Sequence, residues 1–274
     1  MPQMASAPTI LVFDSGLGGL TVFREAIKAR PDARFIYAAD DAFFPYGRQE
    51  EPKLVARVLD VMDELITAHR PALVVIACNT ASTIVLPQLR ERFKVPFVGT
   101  VPAIKPACST SNTKLVTVLG TEATVKREYT KKLIAEHANG CDVKLVGSPR
   151  CAELAEAELK GESVSDAEIT AEIAPCFVES RGKRTDTIVL ACTHYPLLLT
   201  HMQRLALWPV NFIDPAPAIA RRMVDLLGPA VSGAPPQSPQ TIAQAIFTSG
   251  RRPTPPLAAA LKRFGLAEAA PASV

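Results

Sequence analysis

No apolar run in the 274-residue sequence approaches the roughly 20 residues that a membrane-spanning helix needs, which excludes a helical integral membrane protein. The opening segment MPQMASAPTILVF has no basic leader and no full apolar core, so a secretory signal is not expected in it. Neither sign of charge dominates. Lys+Arg number 30 and Asp+Glu 27, a formal net charge of +3, and the basic residues are scattered, so the electrostatic footprint of a nucleic-acid binder is missing. There is no CxxC pair, no zinc-finger spacing and no Walker A sequence. These absences lead to the expectation of a cytoplasmic protein with no membrane or nucleic-acid partner and no bound metal. In that reducing compartment Cys78, Cys108, Cys141, Cys151, Cys176 and Cys192 are expected as free thiols.

What the chain does hold is apolar residues, 48 % of its length, enough for a full core in one large domain or two of roughly 100–150 residues each. Short β-branched runs read as strands at Ile10–Phe13, Arg34–Ala38, Leu73–Ala77, Phe97–Gly99, Leu115–Leu119, Asp142–Val146 and Thr187–Ala191. Helix-like stretches lie between them at Gly18–Ala29, Glu51–His69, Ala123–Ala138 and Cys151–Lys160. This alternation predicts an α/β fold on mainly parallel sheets, because strands covered on both faces read as unbroken apolar runs. A weak internal repeat is also present. LVVIACNTAS (Leu73–Ser82) resembles TIVLACTHYP (Thr187–Pro196), and ILVFDSG (Ile10–Gly16) resembles LVTVLGT (Leu115–Thr121). It predicts two similar α/β units, each bringing strand ends to the same kind of site. Near the end, GPAVSGAPPQSPQ (Gly228–Gln240) reads as a mobile loop, Thr241–Gly250 as a last strand, Pro256–Phe264 as a short helix and AEAAPASV as a fraying tail.

Asp14-Ser15-Gly16-Leu17-Gly18-Gly19 follows a strand and precedes a helix, where an open α/β sheet places ligand groups. A dinucleotide loop fails on register: with Gly16 and Gly18 as the first two glycines, the third position is Thr21. The structural alternative is a tight turn that uses glycine for backbone freedom. An acidic residue in this turn suits proton handling, or the orientation of a cation, better than phosphate. Pro45-Tyr46-Gly47, after Asp40 and Asp41, reads on its own as an ordinary turn.

Two cysteines stand apart from the others. Cys78 ends the strand LVVIA and precedes Asn79-Thr80-Ala81-Ser82; Cys192 ends TIVLA and precedes Thr193-His194-Tyr195. Either one alone is explained as a small buried hydrophobe. Both together, at matched strand ends and followed by hydrogen-bonding residues, point to chemistry. A metal site on Cys192 and His194 would need its remaining ligands from scattered residues, and a Cys–His hydrolase would leave Cys78 without a role. Neither accounts for the symmetry. Two acid/base groups on opposite faces of a carbon do, since one removes a proton and the other adds one, inverting the stereocentre without moving the substrate. A thiol, with a free pKa of about 8.5, can be tuned for either part. Asp14, Glu156 and His194 are candidate tuners and relays. Ser15, Asn79, Thr80 and Thr193, with backbone N–H groups, are candidate donors to a substrate carboxylate.

The segments FDSGLGGLTV, YAADDAFFPYG, ACNTAS, FVGTVPAIKPA, LGTEATVKREYT, LACTHYPLL and FIDPAPAIA run in this order from Phe13 to Ala220, with IFTSG near the end. They resemble the glutamate racemases of the aspartate/glutamate racemase superfamily. The resemblance implies interconversion of L- and D-glutamate, supplying D-glutamate for peptidoglycan and hence for cell-wall biogenesis and cell shape. It implies no cofactor, neither pyridoxal phosphate nor metal. By matching positions, Cys78 and Cys192 would be the proton donor/acceptor pair, the first serving the D- and the second the L-enantiomer. Asp14, His194 and Glu156 would assist them, with Glu153 as the alternative carboxylate. Substrate contacts are implied at Asp14, Ser15, Tyr46, Gly47, Asn79, Thr80, Thr193 and His194.

The resemblance also implies two α/β domains, 1–99 plus 210–274 and 100–209, pseudo-symmetric about an active-site cleft that closes to exclude water. A homodimer is expected from the same likeness. Two departures from the family pattern stand out: Ala191 where glycine is more usual, and an extra proline around Pro215 and Pro217. The competing functions are racemisation of aspartate or another acidic amino acid, and a fold-retaining binding or regulatory role, because some family members inhibit DNA gyrase.

Overall fold

The computed structural model describes residues 7–230 and 243–266. In chain order the strands are β1 (Thr9–Asp14), β2 (Arg34–Ala39), β3 (Leu73–Ile76), β4 (Phe97–Gly99), β5 (Leu115–Thr121) and β6 (Asp142–Ser148). They continue with β7 (Glu179–Ser180), β8 (Lys183–Arg184), β9 (Thr187–Ala191), β10 (Asn211–Ile213) and β11 (Ala243–Phe247). The helices begin with α1 (Leu20–Ala29), α2 (Glu51–His69), α3 (Asn79–Ile84), α4 (Leu86–Arg92), α5 (Ile104–Thr110) and α6 (Glu122–Lys126). The rest are α7 (Glu128–His137), α8 (Cys151–Leu159), α9 (Asp166–Ile173), α10 (Leu199–Leu205), α11 (Ala216–Leu227) and α12 (Pro255–Arg263).

One sheet has the order β11-β2-β1-β3-β4 and the other β10-β9-β5-β6, with every neighbouring pair parallel. The run β2-β1-β3-β4 in the first is matched by β6-β5-β9-β10 in the second. The short sequence repeat is thus a repeat of topology, with β1 beside β3 as β5 is beside β9. The fold is the expected α/β class, built on two parallel sheets.

Each sheet carries buried apolar residues on both faces, as its unbroken apolar strands such as β1, β3 and β9 require. Along β1, Ile10 and Val12 enter one core while Leu11 and Phe13 enter the other, following the two-residue period of a strand. The first core packs β1 on α1, α11 and α12; Phe23 of α1 meets Phe35 and Tyr37 edge-on at 5.8 and 5.7 Å. The second core packs β1 on α2, α3 and α4. Helix α2 matches its expected span. Pro52 sits in its first turn, Leu54, Val58, Val61, Met62 and Leu65 form the buried stripe, and Arg70 closes it in the left-handed conformation. In the second sheet Ile188 and Leu190 face one core and Val189 and Ala191 the other.

Two expectations are corrected. The helix expected over Ala123–Ala138 is two helices, because Arg127 is extended; the Thr130 hydroxyl takes the Thr124 carbonyl at 2.6 Å where the helical ladder breaks. The chain does not return to the first unit at Val210. Asn211–Ile213 pairs with Thr187–Val189 as the edge of the second sheet, and the first unit is regained at α11, against α1. The additional proline is accommodated there, with Pro215 at the N-cap and Pro217 in the first helical turn, where an N–H is dispensable. Helices α3, α4, α5, α9, α10 and α11 and strands β7, β8 and β10 were not among the expected elements. The last strand spans Ala243–Phe247 and the last helix Pro255–Arg263. The loop reading for Gly228–Gln240 beyond Ala230, and that for the tail AEAAPASV, fall outside the described residues.

Candidate active site

The carboxyl ends of β1, β3, β5 and β9 meet between the sheets. Cys78 lies two residues beyond the Phe13–Ile76 rung, level with Ser15, and Cys192 one residue beyond the Gly120–Ala191 rung, level with Thr121. Both cysteines are buried, at 5 % and 7 % exposure. Cys78 Sγ stands 3.7 Å from the Ser15 hydroxyl, and Cys192 Sγ 3.8 Å from His194 Nδ1. Ala191 is completely buried on the rung it shares with Gly120, where a β-carbon on Gly120 would meet its methyl at an ordinary contact distance of 3.4 Å.

From Cys192 a chain of contacts runs through His194 to Glu156 on α8, with His194 Nε2 3.2 Å from Glu156 Oε1. The same oxygen accepts the Leu17 amide at 2.9 Å, which joins the second sheet's helix to the first sheet's loop. Glu156 Oε2 accepts Lys160 Nζ at 2.6 Å. Of the two carboxylates weighed from sequence, Glu156 is the one that meets His194. Glu153 instead pairs with Arg48 at 2.6 Å near the surface.

The loop after β1 owes its glycines to packing. Neither Gly16 nor Gly18 has a positive φ, so backbone freedom is not what selects them, contrary to the tight-turn reading. A β-carbon on Gly16 would fall 2.1 Å from Glu156 Oε1, and one on Gly18 2.3 Å from His194 Nδ1. Asp14 is fully buried, and its Oδ2 accepts the Gly16 and Gly19 amides at 3.1 Å each, while Tyr37 donates to the Gly16 carbonyl at 2.7 Å. Thr21 ties the two sheets together by donating to the Thr193 carbonyl at 3.1 Å.

Among the described residues, Asp14 Oδ1 and both polar atoms of the Asn79 amide are buried without a partner. Each such group costs about 1–3 kcal/mol unless something else satisfies it, which marks this cleft as built around a polar ligand. Ser15, Thr80 and Thr193 are buried too, Ser15 against the Cys78 sulfur and Thr193 through its carbonyl against Thr21. Tyr46 is buried, but its hydroxyl is committed to Asp40 at 2.7 Å, and Asp40 is held in turn by Arg57 and Thr248. Gly47 faces Thr121 of the other sheet, and an interlobe cavity of about 70 Å³ lies among Pro45, Gly47, Arg48, Thr121, Ser148 and Glu153.

Charge in the cleft is strongly organised. Burial, then the neighbouring Asp14 charge, pushes the Cys78 thiol up to about 12, so Cys78 rests protonated. Burial alone would lower His194, yet its hydrogen bonds to Cys192 and Glu156 hold it well above the usual histidine range. Burial likewise opposes ionisation of Glu156, but His194 and Lys160 bring it down to about 2. Burial raises Asp14, against the pull of His194 and two amides.

Sequence reading missed Lys160, the Leu17 amide, Thr121, the Phe44 ring 5.5 Å from that of His194, and the Asp40–Arg57 brace. Only Lys160 left a signal, its four-residue spacing from Glu156. All six cysteines are free thiols. Among the described residues no group of three or more His, Cys, Asp or Glu is placed to hold a metal, and no helix is long and apolar enough to cross a membrane.

Fold and site define a two-lobed α/β protein in which a buried thiol from each parallel sheet reaches one cleft. The chain belongs to the Asp/Glu/Hydantoin racemase family, which it matches over residues 15–223, and it is an amino-acid isomerase. It is 56 % identical over 243 residues to the glutamate racemase of Mesorhizobium japonicum, covering 88 % of this chain and 92 % of that one. To that of Brucella suis biovar 1 it is 56 % identical over 227 residues, 82 % of each chain. Its structure resembles that of Escherichia coli glutamate racemase, solved with L-glutamate and the activator UDP-MurNAc-Ala, with a TM-score of 0.85 and 40 % identity over 95 % of this chain and 96 % of that one. The Aquifex pyrophilus glutamate racemase structure gives a TM-score of 0.70 at 27 % identity, covering 93 % and 94 %.

Proposed function

We propose that the protein racemises glutamate by a two-thiol mechanism without a cofactor, supplying D-glutamate for peptidoglycan in the cytoplasm. The observation that carries this reading is the pair Cys78 and Cys192, both buried, at equivalent strand ends of two like sheets. The glutamate named for the relatives supports the choice of substrate.

For L-glutamate, the Cys192 sulfur acts as thiolate beside the His194 imidazolium and removes the Cα proton. Cys78, resting as a thiol, gives its proton to the opposite face. The product is D-glutamate, with Cys192 now a thiol and Cys78 a thiolate, and the reverse reaction starts from that state. Charge developing on the substrate carboxylate as the Cα–H bond breaks is met by donors fixed in place, the amide of Asn79 and the hydroxyls of Ser15, Thr80 and Thr193. Because these groups are buried, substrate enters only when the two lobes part. The moving units are 1–99 with the chain from α11 onward, and 100–213, which keeps β10 on the second sheet. A homodimer is part of the proposal, carried over from the family.

Circular dichroism of L-glutamate with the purified, reduced protein and no added cofactor tests the reading. The signal is expected to decay to zero. A flat trace with glutamate and decay with L-aspartate would overturn the substrate assignment.

A further inference from the structure

We propose that Lys160 is a positioning residue for racemisation, holding the outer oxygen of Glu156 so that the inner one, charged and correctly aimed, serves His194. The proposal rests on the reading of Cys192 and His194 as one half of the two-thiol pair.

The geometry divides the Glu156 carboxylate cleanly. Oε2 is taken by Lys160 Nζ at 2.6 Å, and Oε1 is left for His194 Nε2 at 3.2 Å and the Leu17 amide at 2.9 Å. The i,i+4 spacing sets Lys160 on the same side of α8 as Glu156. The lysine side chain is 39 % exposed and the carboxylate 6 %, so Lys160 carries positive charge from the solvent boundary to a buried anion. A carboxylate so buried needs such compensation to remain ionised. Without Lys160 its plane would be fixed by His194 and Leu17 alone, through a single oxygen.

The titratable groups gathered about this pair are Asp14 at the end of β1, Tyr37 on β2, Cys192 after β9 and Lys160 itself. Lys160 is the cation among them whose removal leaves the groups that touch the reacting thiol in place. Taking a cation away raises the proton affinity of its neighbours, so Glu156 and His194 both move upward, and the activity profile moves with them.

The test is the pH profile of kcat/KM for L-glutamate in the parent, Lys160→Met and Lys160→Arg. The methionine variant is expected to shift both limbs toward higher pH by about 1 unit, and the arginine variant to restore the parent profile. A Lys160→Met profile that superimposes on the parent's, or a uniform loss at every pH, overturns the proposal. The His194 imidazole titration followed by NMR in the free protein, with His194→Gln for assignment, gives a second readout that needs no turnover. An unmoved titration in Lys160→Met also overturns the proposal. Cys192→Ala keeps the two ideas apart: if it still racemises, the two-thiol reading fails, while the His194 titration in Lys160→Met judges the lysine independently.

Discussion

Gly18 and His194 meet so closely across the interlobe cleft that a β-carbon on Gly18 would lie 2.3 Å from the imidazole Nδ1 and 2.6 Å from the His194 backbone nitrogen. One of those neighbours is backbone and cannot rotate away. Gly18→Ala should therefore leave each lobe folded, since the position lacks a positive φ, while preventing the lobes from seating on one another. A displacement of about 1 Å at a reacting group costs on the order of a hundredfold in rate. Far-ultraviolet circular dichroism and kcat measured on the same preparation check this, and an active Gly18→Ala protein would show that the contact is not needed for turnover.

The sequence showed more of the scaffold than of this contact. Parallel strands covered on both faces must be apolar throughout, so β1, β4 and β9 stood out as uninterrupted runs, and the long stripe of α2 was equally plain. The thiol pair was legible because its strand ends repeat. The break at Arg127 was not, since no proline or glycine marks it and the Thr130–Thr124 bond that compensates it is made by an ordinary threonine side chain six residues away. The β7–β8 hairpin turns on Arg181 and Gly182, both with positive φ, between strands too short to show a period. Gly16 and Gly18 look like turn glycines in one dimension, and only the opposing lobe reveals that they are there for close approach.

Removing either thiol should abolish racemisation yet spare half of the chemistry. Cys78→Ala keeps the Cys192–His194 side and is expected to exchange the Cα proton of L-glutamate for solvent deuterium slowly. Cys192→Ala keeps Cys78 and is expected to do so for D-glutamate. Both should lose at least about a thousandfold in racemisation, the worth of a well-placed acid or base. Proton NMR in deuterated buffer reads each exchange directly. Full racemisation in either variant would sink the two-thiol mechanism.

Glu156 links the site to acid stability. Although burial opposes its ionisation, His194 and Lys160 hold it at about 2, against an ordinary value of 4.5. A carboxylate depressed in the folded state stabilises the fold fully above its unfolded pKa, and that contribution is lost as pH falls through the folded value. The window here runs from about 4.5 down to about 2, and the stabilisation is on the order of 3 kcal/mol. Glu156→Gln should accordingly be much less stable than the parent near neutrality, with the gap narrowing in acid. Urea unfolding midpoints of the two proteins across that window check this; a gap that stays constant would mean the charge is not what stabilises.

Two ion pairs bridge the lobes away from the thiols, Arg48 with Glu153 at 2.6 Å and Arg127 with Glu51. Their partners are partly exposed, so each is worth no more than about 1 kcal/mol and is weakened by salt. They nevertheless favour the closed arrangement over the open one, and ligand binding draws on that bias. The double variant Glu51→Ala, Glu153→Ala should bind D-glutamate up to about tenfold more weakly, with the difference from the parent shrinking as salt is added. Proton abstraction, measured as deuterium exchange at saturating substrate, should be little altered, because neither pair touches the thiols. Calorimetric titration at low and high ionic strength separates the outcomes: an affinity equal to the parent's at low salt would assign these pairs to the surface alone.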